Sequence, residues 1–276
     1  MPVDNEIYNR PGDIWWDEHE PLNAIRTAIN PARLEYFTRV FGELGVDPAG
    51  TSVVDIGCGG GLFAEEFARL GARVIGVDPS TSSLNTARSH ASAAGLSIDY
   101  REGVGEKLPL EDHSVDIACC VDVLEHVSDL DAVIGETARV LRVGGLYVFD
   151  TINRTRRSRF VMIKLLQECR LTAWMPRNLH AWDQFITPDE LHVVMRRHQL
   201  ERGNIVGLGP GVKLPQLLRM LWRLRRGRMS YGEFGRRARF VVTKDVRVSY
   251  AGHARKGGII GPQGSSSFER SAESRS

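Results

Sequence analysis

Hydrophobic and polar positions between residues 31 and 151 alternate between short β-branched apolar runs and longer segments with helical spacing. Runs of the first kind predict buried strands, and the segments between them predict helices that cover a parallel sheet. The pattern predicts strands at 51–56, 73–77, 97–101, 115–121 and 146–151, with helices at 31–44, 62–70, 82–94 and 130–141. We therefore expect an α/β, Rossmann-like, doubly wound domain with a mostly parallel seven-stranded sheet and helical lid insertions.

Capping signals refine two of the predicted helices. Asn30 before Pro31 predicts a helix start, because asparagine can cap free backbone N–H groups and proline lacks only a donor that the first turn does not use. The run Thr187-Pro188-Asp189-Glu190 predicts a capping box that opens a helix through residue 197. A strand at 200–206 is expected to follow that helix.

Two segments interrupt the α/β pattern. Residues 152–186 combine arginines with an apolar helical stretch and two tryptophans, and residues 212–240 combine leucines with eight arginines. We interpret both as lid or substrate insertions within one domain spanning 1–256. Residues 257–276 are rich in Ser, Gly and Arg, a composition that predicts a disordered tail.

Composition excludes several function classes. The formal net charge is only +2, so no nucleic acid is expected as a general partner of the whole chain. The four cysteines show no CxxC spacing, the first twenty residues are acidic, and no run of eighteen apolar residues occurs, which together favour a cytoplasmic protein. The arginine-rich amphipathic segments also suit peripheral contact with a membrane, whereas the competing interpretation is an apolar lid with a solvated arginine face.

The strongest chemical signal is a glycine-rich turn between a strand and a helix. Residues 53–61 read Val-Val-Asp-Ile-Gly-Cys-Gly-Gly-Gly, and glycines such as Gly57 and Gly59 let backbone approach a nucleoside cofactor closely. Asp78 follows the second strand, where its carboxylate can accept the ribose hydroxyls. A turn aspartate before Pro79 is the competing interpretation.

The identity of that cofactor rests on Asp55. Residues 59–64 also satisfy the dinucleotide pattern G-x-G-x-x-A, which keeps a nucleotide-dependent oxidoreductase open. A pyrophosphate favours a helix N-terminus, whereas a cationic sulfonium favours a carboxylate at the strand end, and Asp55 supplies one. Asp55 therefore favours S-adenosyl-L-methionine, although a carboxylate that caps the glycine turn is an equally good interpretation.

Residues outside the glycine turn carry a narrower resemblance. The chain resembles class I methyltransferases, and more closely the ubiquinone-biosynthesis O-methyltransferase family, which methylates catechol-type hydroxyls on polyprenylated rings. The segments that carry the resemblance are Trp15-Trp16-Asp17, Ile29-Asn30-Pro31-Ala32-Arg33-Leu34, the glycine turn, Asp122-Val123-Leu124-Glu125-His126-Val127, Leu141-Arg142-Val143-Gly144-Gly145, Thr151-Ile152-Asn153-Arg154 and Phe185-Ile186-Thr187-Pro188-Asp189-Glu190-Leu191.

The resemblance implies roles for individual residues. Arg33, Gly57, Asp78 and Val121 are implied as cofactor contacts, with the Arg33 guanidinium reaching the cofactor carboxylate. The family usually has methionine at position 121 and glutamate at 122, and many members carry an acidic residue near Val104 that helps hold adenine. Here backbone groups around Gly105 must take that role. The basic segment 212–240 is the largest departure from the family pattern. The identity of the acceptor is therefore the property that the resemblance implies least strongly.

The acceptor chemistry centres on Asp122, Glu125 and His126. His126 follows the strand that ends at Val121 and is the candidate catalytic base, since imidazole has suitable basicity near neutral pH. Its structural alternative is a histidine that bonds backbone at a turn. The three side chains also suit a divalent cation, and the resemblance implies Mg2+ there. The competing interpretation is that Asp122 caps a helix and that Glu125 is exposed on the surface. His180 is a further residue within reach of an acceptor.

These observations predict a methyltransferase. The leading interpretation is S-adenosylmethionine-dependent O-methylation of a phenolic, catechol or quinol hydroxyl on a lipophilic small molecule, in quinone biosynthesis or secondary metabolism. Methylation of a carbon, a nitrogen or a sugar hydroxyl by the same fold remains open, as do an oxidoreductase and a membrane-binding or RNA-binding module.

Overall fold

One eight-stranded sheet forms the centre of the computed structural model, which describes residues 5–10, 13–170, 172–175 and 178–258. The strand order is β3-β2-β1-β4-β5-β8-β6-β7. The strands are β1 Ser52–Ile56, β2 Arg73–Asp78, β3 Ile98–Glu102, β4 Val115–Cys120, β5 Leu141–Ile152, β6 Leu200–Pro210, β7 Phe240–Thr243 and β8 Ser249–Lys256. The predicted α/β architecture is confirmed.

The predicted strand count of seven was wrong, because the described chain contains eight strands. Strands β3, β2, β1, β4 and β5 pair in parallel, whereas β8 pairs antiparallel with both β5 and β6, and β7 pairs antiparallel with β6. Neither β7 nor β8 was predicted. Strand β8 reads Ser-Tyr-Ala-Gly-His-Ala-Arg-Lys, which lacks both a continuous apolar run and β-branched residues, so its burial comes from its central place in the sheet.

Helices cover both faces of this sheet. They are α1 Asn30–Leu44, α2 Ala64–Arg69, α3 Thr81–Ala93, α4 Leu130–Val140, the short α5 Arg156–Ser158, α6 Pro188–Arg197, α7 Leu214–Arg225 and α8 Tyr231–Ala238. The two π-helical stretches are Ile25–Ile29 and Arg159–Glu168. No helix in the described ranges has the length and hydropathy needed to cross a bilayer.

The predicted caps have opposite outcomes. The box at Thr187 is confirmed, since its hydroxyl accepts from the Glu190 N–H while the Glu190 carboxylate accepts from the Thr187 N–H at 2.9 Å. Asn30 as an N-cap was wrong, because the π-helical turn before it runs directly into α1 and leaves no helix end there. The Asn30 side chain instead accepts a hydrogen bond from Arg33 at 2.8 Å.

Two apolar layers fix the sheet between the helices. One layer packs α1, α2 and α3 on one face through residues such as Phe37, Phe67 and Leu84, and the other packs α4 and α6 on the opposite face through Ile134 and Met195. Both layers leave the carboxyl ends of the parallel strands uncovered, and ligands bind at this edge in open α/β sheets. Most of the tail predicted to be disordered, residues 259–276, lies outside the described residues.

Candidate functional site

A cavity of about 460 Å³ opens at the carboxyl ends of the parallel strands. It lies beside the point where β1 and β4 are neighbours and the connections leave towards opposite sides of the sheet, which is the usual ligand position in this architecture. The structure brings eight of the ten predicted site residues to its wall: Arg33, Asp55, Gly57, Asp78, Gly105, Val121, Asp122 and His126. Gly59 and Glu125 are not among the residues that line it.

The Asp78 carboxylate holds the glycine turn in place by accepting backbone hydrogen bonds. Its Oδ2 accepts the Gly59 N–H at 2.8 Å and its Oδ1 accepts the Ser80 N–H at 2.8 Å. Gly57 and Gly59 have φ values of +69° and +52°, a backbone region that favours glycine. Since each carboxylate oxygen accepts only one of these N–H groups, each retains capacity to accept a hydroxyl from the cavity. Gly59 therefore positions Asp78 rather than lining the cavity.

Asp55 is a buried carboxylate without a hydrogen-bond partner of normal geometry in the described chain. Burial and the nearby Asp78 raise its pKa to about 8, and the weaker opposing effects come from the Ala64 N–H and Arg33. It does not cap the glycine turn, so that interpretation receives no support here. Because a cation beside a buried carboxylate favours the ionised form, Asp55 is suited to face a positively charged ligand group.

Arg33 lies at the centre of a buried charge cluster. Its Nη2 is 2.5 Å from Asp122 Oδ1 and 2.6 Å from Asp150 Oδ2, and its Nη1 donates to Asn30. Asp150 also accepts the Asp122 N–H at 2.9 Å, which holds Asp122 at φ +54°. The two carboxylates raise the pKa of Arg33 despite its burial. The guanidinium is therefore fixed and fully charged at the cavity wall.

The N-terminal segment forms a cover that the sequence did not predict. Trp15 donates from Nε1 to Ser83 Oγ at 3.1 Å, and Trp16 donates to the Gly60 carbonyl at 2.9 Å. A Cβ atom on Gly60 would lie 2.3 Å from Trp15 Cγ, so the indole rests directly on the turn. A pyrophosphate bound at the start of α2 would need this space, which argues against the dinucleotide interpretation. The signal in the sequence was the adjacent tryptophan pair in an acidic stretch.

His126 lies on the cavity wall, in the 3₁₀ turn Leu124–His126. Its Nδ1 has no hydrogen-bond partner within the described ranges. The alternative interpretation, a histidine that bonds to backbone at a turn, therefore does not apply to that atom. Burial lowers its pKa to about 4, and the ring centroid of Tyr8 lies 6.0 Å away in an edge-on arrangement. The imidazole is thus neutral near pH 7 and has a nitrogen available to accept a proton.

Glu125, His126 and His180 form a candidate metal centre. One ligand atom from each lies within 4.8 Å of those of the other two. Glu125 is buried, with Oε2 accepting from Thr151 Oγ1 at 2.8 Å and Oε1 unpartnered, and its burial raises its pKa. The exposed Glu125 considered from sequence was wrong. His180, which comes from the 152–186 insertion, has a pKa lowered to about 3 by burial and by His126.

Asp122 does not join this group. Its carboxylate pairs with Arg33 rather than capping the adjacent 3₁₀ turn, which has no side-chain cap. The predicted metal set Asp122, Glu125 and His126 therefore becomes Glu125, His126 and His180 in the described structure. Asp122 is absent from the candidate metal group because its backbone and side chain are both held elsewhere. Its N–H donates to the Asp150 carboxylate, and its own carboxylate pairs with Arg33.

Comparison with known proteins identifies the family of the chain. Residues 54–149, which contain the glycine turn, Asp78 and His126, match the family model described as a methyltransferase domain. The chain is 42% identical over 194 residues to the ubiquinone biosynthesis O-methyltransferase of Ruegeria pomeroyi, covering 68% of this chain and 77% of the relative. The corresponding protein of Methylobacterium sp. (strain 4-46) is 40% identical over 191 residues, covering 67% of this chain and 76% of the relative.

Solved structures give the same fold. A SAM dependent methyltransferase from Aquifex aeolicus matches with a TM-score of 0.53 at 13% identity, covering 86% of this chain and 94% of that one. A SAM-dependent methyltransferase from Thermotoga maritima, titled a possible histamine N-methyltransferase, has a TM-score of 0.55 at 19% identity and covers 88% and 93%. The cofactor is S-adenosylmethionine, and the oxidoreductase alternative was wrong. The chain is an S-adenosylmethionine-dependent methyltransferase that belongs to the ubiquinone biosynthesis O-methyltransferase family.

Proposed function

We propose that the enzyme transfers a methyl group to a phenolic, catechol or quinol hydroxyl of a lipophilic, quinone-like small molecule. The observation that carries the proposal is the shared cavity, in which the carboxylates of Asp55 and Asp78 and the imidazole of His126 face one space. The names of the relatives support the acceptor class, since each is a ubiquinone biosynthesis O-methyltransferase at about 40% identity.

The cofactor contacts follow from the chemistry of the cavity wall. In this proposal Asp78 accepts the ribose hydroxyls through its free lone pairs, and Asp55 faces the cationic part of the cofactor. Arg33 directs a remaining N–H towards the cofactor carboxylate, since its other donors already hold Asn30, Asp122 and Asp150. The backbone at Gly57 and Gly105 and the side chain of Val121 complete the nucleoside wall.

The chemistry requires alignment and removal of one proton. S-adenosylmethionine supplies a methyl group on a positively charged sulfur, and the acceptor oxygen displaces that sulfur in line while its O–H bond breaks. The neutral imidazole of His126 takes the hydroxyl proton, so charge is conserved as the sulfur becomes neutral. Tyr8 and Trp15 both line the cavity and stack with ring centroids 5.7 Å apart, so they add an aromatic wall to it.

We further propose that Glu125, His126 and His180 bind a divalent cation. The unpartnered Glu125 Oε1 and His126 Nδ1 fit such an ion, because both are buried and have no hydrogen-bond partner in the described chain. With a cation on Nδ1, that nitrogen would serve as a ligand instead of taking the hydroxyl proton. Two imidazoles and one carboxylate favour Mn2+ or Zn2+ over Mg2+, which prefers oxygen ligands. A bound cation would lower the pKa of a catechol hydroxyl.

Metal removal tests this centre directly. Treatment with EDTA is expected to lower kcat at least roughly tenfold, and Mn2+ is expected to restore it at lower concentration than Mg2+. Calorimetry with Mn2+ alone should show binding to the wild-type chain and at least roughly tenfold weaker binding to His180→Ala. The His198→Ala variant, which loses an imidazole outside the cavity, serves as control. Full activity in EDTA together with no heat of Mn2+ binding would contradict the centre.

The acceptor class needs a separate test. Catechols, quinols and simple phenols, with amines and sugars as the competing nucleophiles, are incubated with the enzyme and S-adenosylmethionine. Mass detection of a gain of one methyl on the ring hydroxyls alone is the expected result, and turnover should rise with the apolar area of the ring substituent. Methylation of a carbon, nitrogen or sugar hydroxyl with no phenolic product would overturn the proposal.

The two insertions belong to the same proposed domain, 1–256. Trp174 of the 152–186 insertion packs with its ring centroid 5.8 Å from Tyr231 and 6.3 Å from Phe234, both on α8. Arg225 of α7 donates to the Ala173 carbonyl at 2.8 Å. We propose that these insertions close the acceptor side, because the first of them carries His180 into contact with His126.

A further inference from the structure

A short stretch that contains both adjacent tryptophans lies on the cofactor side of the cavity. We call residues 13–24 the tryptophan segment. Trp15 lines the cavity and rests on the glycine turn, and Trp16 donates from Nε1 to the Gly60 carbonyl at 2.9 Å. The Trp16 ring also stacks on His90 of α3, with ring centroids 3.4 Å apart and planes 7° from parallel. Displacing the tryptophan segment would therefore uncover the glycine turn.

The tryptophan segment is held from its other side by α8, which belongs to the basic insertion. The Gly232 N–H donates to the Glu18 carbonyl at 3.0 Å, and the Arg236 guanidinium donates to both carboxylate oxygens of Glu18 at 2.5 and 3.2 Å. A Cβ atom on Gly232 would lie 3.0 Å from Asn23 Oδ1, so the backbone of α8 packs directly against the segment. The helix thus holds the segment through backbone contact as well as through charge.

Asn23 joins the two sides of the tryptophan segment. Its side chain is fully buried, and its Nδ2 donates to the Trp16 carbonyl at 2.8 Å and to the Trp15 carbonyl at 3.3 Å. The next residue, Ala24, belongs to the same buried apolar cluster as Phe234 of α8. Because the amide is buried and both of its hydrogen bonds are directional, a shift of α8 against Asn23 displaces the two tryptophans as well.

These contacts place α8 where it can control access to the glycine turn. We propose that α8 clamps the tryptophan segment onto that turn and thereby slows both the entry of S-adenosylmethionine and the release of S-adenosylhomocysteine. The clamp rests on the proposed position of the cofactor at the glycine turn. Cofactor exchange does not involve the acceptor, so the clamp is independent of which hydroxyl is methylated. An insertion that acted only on the acceptor side would leave cofactor exchange unchanged when its contact with Glu18 is broken.

A charge-swap series tests the clamp. Surface plasmon resonance on the immobilised full chain gives the dissociation rate constant of S-adenosylhomocysteine. Arg236→Glu places two carboxylates against each other, and since both positions are about half exposed, we expect the rate constant to rise roughly threefold to fivefold. Glu18→Arg/Arg236→Glu restores the pair with reversed charges and should return the rate constant to within about twofold of wild type. Arg237→Glu, which breaks an ion pair with Glu233 inside α8, is the matched control and should leave it unchanged.

A reversible cross-link should have the opposite effect. A Cβ atom on Gly232 would lie 3.1 Å from Glu18 Cγ, the atom that a cysteine sulfur would replace, so a disulfide can join the two positions. In Glu18→Cys/Gly232→Cys, oxidation should lower the dissociation rate constant at least roughly tenfold, and reduction should restore it. Both states are the same chain, so a folding defect cannot explain a difference between them. Glu18→Cys alone should not respond to oxidation, which controls for the native cysteines.

The outcomes separate the clamp from the cofactor position on which it rests. Equal dissociation rate constants in both redox states of the double-cysteine variant would overturn the clamp, and so would a rise in Arg236→Glu that the charge swap does not reverse. If Asp78→Ala weakens S-adenosylhomocysteine binding while these variants change no rate, only the clamp is wrong. If Asp78→Ala also binds as wild type does, the cofactor position itself is wrong.

Discussion

Replacing His126 by alanine is expected to lower kcat by roughly 10²–10⁴-fold while the affinity for S-adenosylhomocysteine changes less than about twofold. The expectation follows from the position of the imidazole, which lines the cavity and has an unpartnered Nδ1. In the part of the chain that the structure describes, no hydrogen bond or ion pair joins it to the glycine turn or to Asp78. Initial rates with saturating cofactor and calorimetry with S-adenosylhomocysteine measure the two quantities.

The pKa of the acceptor distinguishes a proton-accepting His126 from one that only binds metal. An acceptor whose hydroxyl is already ionised needs no base, so a nitro-substituted catechol should recover most of the lost rate in His126→Ala. A purely metal-binding role predicts instead that high Mn2+ restores the rate with every acceptor. His198→Ala removes an imidazole that pairs with Asp131 outside the cavity and should keep wild-type kcat. A parallel loss of cofactor affinity would contradict the assigned position.

The grouping of the glycine turn with Asp78 could be predicted because it is local in sequence. The strand at Ser52–Ile56, the glycine turn and α2 are consecutive, and Asp78 ends the next strand. Parallel pairing then fixes the relation between the strand ends, since Ile56 is opposite Val77 in the register. Apolar periodicity and glycine spacing are sufficient to recognise such an arrangement.

The charge cluster at Arg33, the N-terminal cover and the position of His180 depend on contacts between segments far apart in the chain. Asp150 reaches Arg33 across 117 positions, and Trp15 reaches Ser83 across 68. Neither contact produces a periodic pattern in the sequence. From sequence alone, a buried aspartate at a strand end looks the same as an ordinary turn residue. His180 joins His126 only because the 152–186 insertion folds back over the strand ends, with ring centroids 5.1 Å apart. Tertiary packing therefore decides which residues form the candidate metal centre, while the local sequence pattern decides the position of the glycine turn and Asp78.

Replacing Asp78 by alanine is expected to weaken S-adenosylhomocysteine binding roughly 100-fold, since two charge-assisted hydrogen bonds to ribose hydroxyls would be lost. The same carboxylate holds the Gly59 and Ser80 N–H groups at 2.8 Å, so the unfolding free energy should also fall by about 1–3 kcal/mol. Calorimetry measures the first effect and urea denaturation the second. Asp78→Asn keeps one acceptor oxygen and should fall between wild type and alanine.

Asp116→Ala separates the two effects, because Asp116 supports a strand in a comparable way without facing the cofactor. Its Oδ2 accepts the Ser52 N–H at 2.8 Å, and it pairs with Arg142 near the opposite end of the sheet. That variant should lose stability of similar size and keep wild-type affinity for S-adenosylhomocysteine. If both aspartate variants weakened binding equally, stability rather than ribose contact would explain the loss. If Asp78→Ala bound as wild type does, Asp78 would be only the anchor of the glycine turn, and the nucleoside wall would have to be reassigned.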